Sequence, residues 1–186
     1  MKHEIAGTPI RVVPASPDDV EGIEEVFYRT WLATYPNPEL GITVDDVEER
    51  FKDRFLPERL ARRRERIGDP TPGTSLFVAK EGDRVVGVCY VVVHLEKNQL
   101  QSIYVLPGYQ GKGVGAALWH EAQKNLDASK DTIVQVATYN TSAIQFYERL
   151  GFVDTGKRWS DESFRMKSGA VIPELEMMRK AEPASP

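Results

Sequence analysis

The chain is short of cysteine and of long hydrophobic runs. Among its 186 residues there is one cysteine, Cys89, so no disulfide can form within the chain, and the three histidines show no metal-ligand spacing. The longest apolar run, residues 85–93, falls well below the ~20 residues that a membrane-spanning helix needs. A disulfide scaffold, a metal site and a transmembrane helix are therefore not expected.

The chain also lacks a strong charge of one sign and an apolar leader. Lysine and arginine number 24 against 28 aspartates and glutamates, which gives a formal net charge of −4. That mild balance favours neither nucleic acid nor an anionic membrane as a partner. The first seven residues lack the apolar core of a signal peptide, so we expect a cytoplasmic location.

What the sequence does contain is the composition and patterning of an α+β protein. Apolar residues make up 41% and charged residues 28%, and the length suits one domain with a substantial core. Apolar periodicity and turn residues predict the element order β-α-α-β-β-β-α-β-α-β-β, with one strand–helix–strand crossover. We expect one domain over residues 1–180 and a disordered tail over residues 181–186.

Two helical regions are predicted after the first strand. Ser16, followed by proline and two acids, is expected to cap the first, and Thr43 the second, which runs to residue 67 with an interruption at Pro57. The second region carries an arginine cluster, Arg59–Arg66. A solvated helix face and a site for an acidic partner or a cofactor phosphate are both compatible with this cluster.

A glycine-rich loop follows the predicted strand 99–106 and opens the next predicted helix, which runs from residue 113 to about residue 127. It reads Gln110-Gly111-Lys112-Gly113-Val114-Gly115-Ala116. Glycine lets the backbone approach a ligand closely, and the first turn of a helix offers unpaired N–H groups and the positive end of the helix dipole. The loop therefore predicts a site for a phosphate-bearing ligand.

Other phosphate-binding loops fit this segment less well. A Walker loop has serine or threonine after its lysine, whereas Gly113 follows Lys112, and no kinase catalytic-loop residues follow. Gly111, Gly113 and Ala116 do satisfy a loose dinucleotide fingerprint. That fingerprint requires an acid at the end of the next strand, and the predicted strand 132–138 ends without one. The loop alone therefore does not identify which phosphate-bearing coenzyme is bound.

The loop together with a second segment resembles the GNAT superfamily of N-acetyltransferases. The coenzyme loop of that family reads Gln/Arg-x-x-Gly-x-Gly/Ala, which residues 110–115 match position by position. Residues 140–152 of this chain, Asn-Thr-Ser-Ala-Ile-Gln-Phe-Tyr-Glu-Arg-Leu-Gly-Phe, resemble the second signature of the family. The resemblance spans roughly residues 10–178, and is nearest in style to the polyamine and protein N-terminal acetyltransferases. It implies a mixed, mostly antiparallel sheet of about seven strands with flanking helices, and acetyl-CoA as cosubstrate without a metal.

The resemblance also implies which residues bind the coenzyme. Edge groups of the fourth strand would pair with the pantetheine arm, and an amide at or near Val105 would polarise the thioester carbonyl. Backbone groups of the loop would bind the pyrophosphate, and Asn140 would hydrogen-bond the coenzyme or only begin a helix. The complete set implied for acetyl-CoA is Ile103, Tyr104, Val105, Gln110, Gly111, Lys112, Gly113, Val114, Gly115, Ala116 and Asn140.

The resemblance assigns chemistry to one residue and leaves another role unfilled. A tyrosine at the position of Tyr147 donates its phenolic proton to the departing thiolate in the family, although its helical spacing also fits a core position. Some relatives carry a glutamate on the fourth strand as general base. This chain has none there, and Glu96, just before that strand, would have to act through water.

The acceptor is expected beside the connection after the first helix. Trp31 and Tyr35 lie there, in a Trp-x-x-x-Tyr segment that resembles the polyamine and protein N-terminal branches. Trp31 fits the apolar stripe of the helix, whereas Tyr35 lies beyond it and is the better candidate for the acceptor pocket.

The sequence thus predicts transfer of an acetyl group from acetyl-CoA to a primary amine, by direct attack in a ternary complex. The amine would belong to a small molecule such as a polyamine, or to a peptide N-terminus. A non-catalytic acyl-CoA sensor on the same fold is the alternative. A homodimer is compatible with the resemblance, since dimers are common among the relatives.

Overall fold

The computed structural model describes residues 9–181, through which one seven-stranded sheet runs. Its spatial order is β1-β2-β3-β4-β5-β7-β6, and every neighbouring pair is antiparallel except β4 with β5. This confirms the predicted mixed, mostly antiparallel α+β fold. The strands are β1 (Ile10–Pro14), β2 (Thr74–Glu81), β3 (Arg84–Val93), β4 (Asn98–Val105), β5 (Thr132–Ala137), β6 (Val153–Ser160) and β7 (Pro173–Arg179).

The α-helices connect these strands in the predicted order. They are α1 (Val20–Thr34), α2 (Val44–Phe51), α3 (Pro57–Gly68), α4 (Val114–Ala122) and α5 (Thr141–Arg149). Thr43 caps α2 as predicted, by accepting the N–H of Asp46 at 3.1 Å. Ser16 caps a 3-10 turn, Pro17–Asp19, that leads into α1. Within residues 9–181 no helix combines the length and the apolar character needed to cross a membrane.

Two predicted boundaries differ from the structure. The helix predicted from residue 113 to 127 ends as an α-helix at Ala122, because a 3-10 turn at Gln123–Asn125 takes over. Ala181, the first residue of the predicted disordered tail, donates its N–H to Asp131 at 2.9 Å. The rest of that tail, residues 182–186, lies outside the described residues.

The core forms on both faces of the sheet around β3. Val86, Val88 and Cys89 are fully buried, and α1 and α4 both contact this strand. A strand covered on both faces reads as a continuous apolar run instead of alternating with polar residues. Burial therefore explains why residues 85–93 form the longest apolar run of the sequence.

The parallel strands β4 and β5 are paired over a short length only, so the middle of the sheet opens where they separate. Its register joins only Asn98 with Thr132, Gln99 with Ile133 and Leu100 with Val134. Beyond these three pairs the two strands part, and β5 continues against β7. The second half of β4 consequently has backbone groups without a strand partner on that side.

The arginine cluster joins α3 to α1. Glu24 of α1 is fully buried, and its carboxylate forms an ion pair with Arg63 and lies 3.9 Å from Arg59. Arg64 pairs with Glu21 at the exposed edge of the same contact. These arginines therefore have carboxylate partners within the fold, and holding two helices together is their observed role.

Removal of Glu24 should destabilise the fold far more than removal of Glu21. Glu24→Ala leaves half-buried guanidinium groups without their counter-ion, which costs about 3 kcal/mol or more. Glu21→Ala breaks an exposed pair between the same two helices, with an expected loss below about 1 kcal/mol. Urea unfolding of both variants measures the difference, and equal losses would contradict a structural role for the buried pair.

Candidate functional site

The gap between β4 and β5 exposes backbone groups of β4. Leu106 donates its N–H to the carbonyl of Val86 at 2.9 Å, so this residue and Tyr104 turn their backbone groups toward β3. Successive residues of a strand turn these groups to opposite sides. Ile103 and Val105 therefore direct theirs into the gap, which is where the sequence analysis expected unpaired edge groups.

One of these edge groups already has a partner. The side-chain amide of Gln110 donates to the carbonyl of Val105 at 2.9 Å. Gln110, predicted to contact the coenzyme, thereby ties the start of the glycine loop to the end of β4. The N–H of Val105 and the groups of Ile103 make no such contact with the loop.

The glycine loop has the backbone conformation that its sequence demands. Gly111 and Gly113 have φ angles of +73° and +82°, in the left-handed region that favours glycine, and no atom lies within 4 Å of the place where a Cβ would stand. Gly113 is the N-cap of α4, so the first N–H groups of that helix point into this open space. The loop, including exposed Lys112 and Ala116, therefore surrounds a site open to a phosphate group.

Gly115 and Val114 serve helix packing. A Cβ on Gly115 would lie 3.2 Å from the ring of Phe146 on α5, and Val114 is buried in the core. The third glycine of the motif thus lets α4 and α5 approach closely.

Asn140 occupies the start of α5. Its side-chain oxygen accepts the N–H of Ala143 at 3.2 Å and the hydroxyl of Ser142 at 3.1 Å. The helix-start role is therefore visible in the structure. The amide nitrogen of this side chain makes no hydrogen bond within residues 9–181, so it is available to a ligand.

Tyr147 projects from α5 into the interior beside the gap. It is 6% exposed, and its ring packs against Phe146 and Phe152. Within residues 9–181 its hydroxyl makes no hydrogen bond, yet that oxygen is not enclosed. Burial, with smaller contributions from Tyr104 and Cys89, strongly raises the pKa of the phenol. The hydroxyl therefore keeps its proton at neutral pH and has a donor to offer.

An aromatic cluster lies where the acceptor was expected. The rings of Trp31 and Tyr35 are 4.2 Å apart, and the hydroxyls of Tyr35 and Tyr104 are 3.2 Å apart. Tyr139, two residues after the end of β5, donates its hydroxyl to the carbonyl of Tyr35 at 2.9 Å. Phe27 packs edge-on against Tyr104, with 5.2 Å between the ring centres. Trp31 and Tyr35 thus share one half-buried cluster, and the side chain of Tyr104 belongs to it.

Burial in this cluster perturbs both tyrosine hydroxyls that meet there. It is the main cause that raises the pKa of Tyr35 and also that of Tyr104. The charge of Glu174 raises both pKa values further, whereas the charge of Arg50 lowers that of Tyr104. A carboxylate and a guanidinium therefore act on the same hydroxyl pair.

Neither of these charged residues was predicted from the sequence. Glu174 is the second residue of β7, opposite Ala137 of β5 and Trp159 of β6. Burial, and after it the nearby charge of Asp161, raises its pKa. No motif surrounds Glu174 in the sequence, and only the pairing of β7 with β5 brings it to the aromatic cluster. By contrast, Glu96 is exposed in the turn before β4.

Arg50 lies on α2, with its guanidinium between two aromatic rings. The guanidinium carbon is 4.8 Å from the ring centre of Trp31 and 4.7 Å from that of Phe164. Burial lowers the pKa of this arginine. Residues 9–181 contain no group of three His, Cys, Asp or Glu side chains arranged to hold a metal ion.

Comparisons with known proteins agree with this architecture. A probable N-acetyltransferase of Mycobacterium tuberculosis is 25% identical over 171 residues, covering 89% of this chain and 91% of that protein. A mycothiol acetyltransferase of Streptomyces scabiei is 35% identical over 157 residues, which are 75% of this chain but only 46% of the relative. The chain thus spans about half the length of that enzyme.

Solved structures share the fold. The PaiA N-acetyltransferase of Thermoplasma acidophilum, in complex with coenzyme A, superposes with a TM-score of 0.70 at 21% identity, covering 92% of this chain and 99% of that one. A GNAT-family acetyltransferase of Streptococcus pneumoniae gives a TM-score of 0.64 at 19% identity, covering 92% and 98%.

The family itself follows from the sequence match. Residues 32–167 match the model of the acetyltransferase (GNAT) domain. That segment contains the parted strands, the glycine loop and α5. The chain belongs to the GNAT family and is an acetyl-CoA-dependent acetyltransferase.

Proposed function

We propose that the enzyme transfers the acetyl group of acetyl-CoA to a primary amine, by direct attack in a ternary complex. The amine belongs to a small molecule or to a peptide N-terminus. The observation that carries this proposal is the hydroxyl of Tyr147, which is buried, has no hydrogen-bond partner in residues 9–181 and lies within electrostatic range of Tyr104 on β4.

In this proposal the coenzyme follows β4 and ends at the glycine loop. The groups that Ile103 directs into the gap pair with the pantetheine arm, whereas the carbonyl of Val105 is already bonded to Gln110. The N–H of Val105 or a neighbouring amide polarises the thioester carbonyl. The pyrophosphate lies against Gly111, Gly113 and the first turn of α4. Exposed Lys112 adds positive charge beside it, and the free amide nitrogen of Asn140 is a further donor.

The chemistry requires one bond to form and one to break. The amine nitrogen attacks the acetyl carbon, the carbon–sulfur bond breaks, and coenzyme A leaves as a thiolate that takes up a proton. Because burial raises the pKa of Tyr147, its hydroxyl first contributes a hydrogen bond to the sulfur as negative charge develops there. Proton transfer to the sulfur then completes the release of the thiol, and the phenolate left on Tyr147, a strong base at its raised pKa, recovers a proton from solvent.

A covalent acetyl-cysteine has no support in this site. Cys89 is fully buried, and burial raises the pKa of its thiol to about 12. A thiol in that state is a poor nucleophile, since the reactive form is the thiolate. Direct attack by the amine is therefore the proposed route.

Glu174 is the proposed acceptor of the amine proton. It is half-buried, and its charge acts on the hydroxyls of Tyr35 and Tyr104 in the cluster. Its raised pKa makes it a stronger base than a solvated glutamate. The groups that act on it are Asp161, which raises its pKa, and Trp159, which lowers it, both after burial.

The coenzyme site can be tested at Gly113. Gly113→Ala strains a left-handed residue, so the KM for acetyl-CoA should rise about tenfold, with a smaller change in kcat. Gly108→Ala is the matched control, because Gly108 belongs to the same connection and has open space around it without a left-handed φ. Steady-state kinetics measure both variants, and equal KM values for them would argue against this loop as the pyrophosphate site.

The role of Tyr147 can be tested by removing its hydroxyl. Tyr147→Phe should lower kcat about a hundredfold and leave the Kd of coenzyme A nearly unchanged, because the lost donor acts on the departing sulfur. Thiol release and calorimetric titration of coenzyme A measure the two quantities. Wild-type protein that binds coenzyme A but releases no thiol with any amine would favour the acyl-CoA sensor instead.

The role of Glu174 should be visible in the pH dependence. A base must be ionised to accept a proton, so kcat/KM of the wild type should fall as pH drops through the raised pKa of Glu174. Glu174→Gln should lose about a hundredfold at pH 7, and the loss should shrink as pH approaches the pKa of the amine, which then arrives deprotonated.

Glu176→Gln is the control for that pH profile. Glu176 lies on the same strand and face, but its carboxylate is held by Lys157 at 3.0 Å and Thr155 at 3.2 Å. Its variant should keep the wild-type profile. A Glu174→Gln deficit that stays constant from pH 6 to 10 would remove Glu174 from proton transfer.

A further inference from the structure

We propose that Arg50 binds a carboxylate of the acceptor, so that the amine acetylated here is one that also carries a negative charge. This inference rests on the proposed function, because it places the acceptor at the aromatic cluster. It narrows the substrate class from primary amines in general to amines with an attached carboxylate.

The guanidinium of Arg50 is held in position while its donors stay free. Trp31 and Phe164 contact it at 4.8 and 4.7 Å from their ring centres. Aromatic rings attract the charge of a guanidinium but cannot accept its five N–H donors in the way that a carboxylate does. Within residues 9–181 no hydrogen bond or ion pair is formed by this side chain.

Carboxylates on neighbouring segments are committed to other partners. Glu49, next to Arg50 on α2, pairs with Lys52 at 2.5 Å. Asp46, one turn earlier, accepts the N–H of Ser168 at 2.7 Å and caps its own helix. Glu162, two residues before Phe164, pairs with Arg165. None of these acids therefore neutralises Arg50.

Arg54 shows what a purely structural arginine looks like in the same region. Its guanidinium lies 3.9 Å from the ring centre of Tyr28 and 4.8 Å from that of Phe55, so it is stacked as Arg50 is. It differs in donating a hydrogen bond to the carbonyl of Phe51 at 3.1 Å. Stacking thus accounts for the position of either arginine. Of the two, Arg54 has one protein acceptor, although its Nε is buried without a partner, whereas Arg50 has no acceptor within residues 9–181.

The position of Arg50 relative to the reacting groups fits an acceptor with two charges. Its charge acts on Tyr35 and Tyr104, the same hydroxyls on which Glu174 acts. An amine near Glu174 therefore lies within electrostatic range of Arg50. A carboxylate can accept two parallel N–H bonds from a guanidinium, which fixes the direction of the molecule as well as its affinity.

Pairs of amines that differ only in a carboxylate test the inference. Phenylalanine with 2-phenylethylamine, and lysine with cadaverine, are suitable pairs for kinetic measurements with acetyl-CoA. The wild type should prefer the carboxylate-bearing member about ten- to hundredfold in kcat/KM. Arg50→Gln should reduce that ratio at least tenfold. Arg50→Lys keeps the positive charge but loses the two parallel N–H donors, so it should reduce the ratio less than Arg50→Gln does.

A binding measurement keeps the inference separate from the proposed function. With coenzyme A present, the Kd of 3-phenylpropionate is compared by calorimetry with that of uncharged 3-phenylpropanamide. Tighter binding of the carboxylate to the wild type, lost in Arg50→Gln, supports the anionic subsite even if no amine is acetylated. In that case the proposed function fails and the subsite stands.

Arg54→Gln is the matched control for both measurements. It removes a stacked arginine from the same helix region, and thermal unfolding verifies that both variants fold. The carboxylate preference should survive in Arg54→Gln. Equal binding of 3-phenylpropionate and its amide to the wild type, or the same loss in both arginine variants, would overturn the inference.

Discussion

The candidate site depends on a set of buried hydrogen bonds that holds the parallel strands β4 and β5 together at one end only. Asn98, 1% exposed at the start of β4, donates its side-chain amide to the carbonyls of Asp127 and Lys130 at 2.8 and 3.1 Å, and accepts the N–H of Asp127 at 3.1 Å. Its own N–H bonds the carbonyl of Asp131 just before β5. This buried network holds β4 to β5 at Leu100 and below, and leaves the strands free to part above it.

The parted strand then divides the site into two sides. Along β4, Ile103 and Val105 turn their backbone groups into the gap, next to the glycine loop and α4. The side chain of Tyr104, between them in sequence, instead meets Tyr35 and Phe27 of the α1 region. In the proposed function, one stretch of extended chain therefore offers a backbone edge to the coenzyme and a side-chain surface to the acceptor, because strand residues alternate in direction.

What could be predicted from the sequence is the part encoded locally. The glycine loop needs left-handed residues at Gly111 and Gly113, and Tyr147 sits within a contiguous motif, so both could be read directly. Arg50 and Glu174 belong to α2 and β7, and no spacing in the sequence relates them. Only tertiary structure brings them to one hydroxyl pair, through the packing of α2 on α1 and the pairing of β7 with β5. The role of Gly115 in helix packing was hidden for the same reason.

The two proposed contacts also differ in which acceptors they exclude. A carboxylate at Glu174 attracts any amine, so it cannot by itself distinguish a polyamine from an amino acid. A guanidinium near the same cluster repels the second positive charge of a polyamine and attracts a carboxylate in its place. Burial weakens the screening of both charges, which strengthens the attraction and the repulsion together. Selectivity in this site would then come as much from the acceptor that Arg50 rejects as from the one it binds.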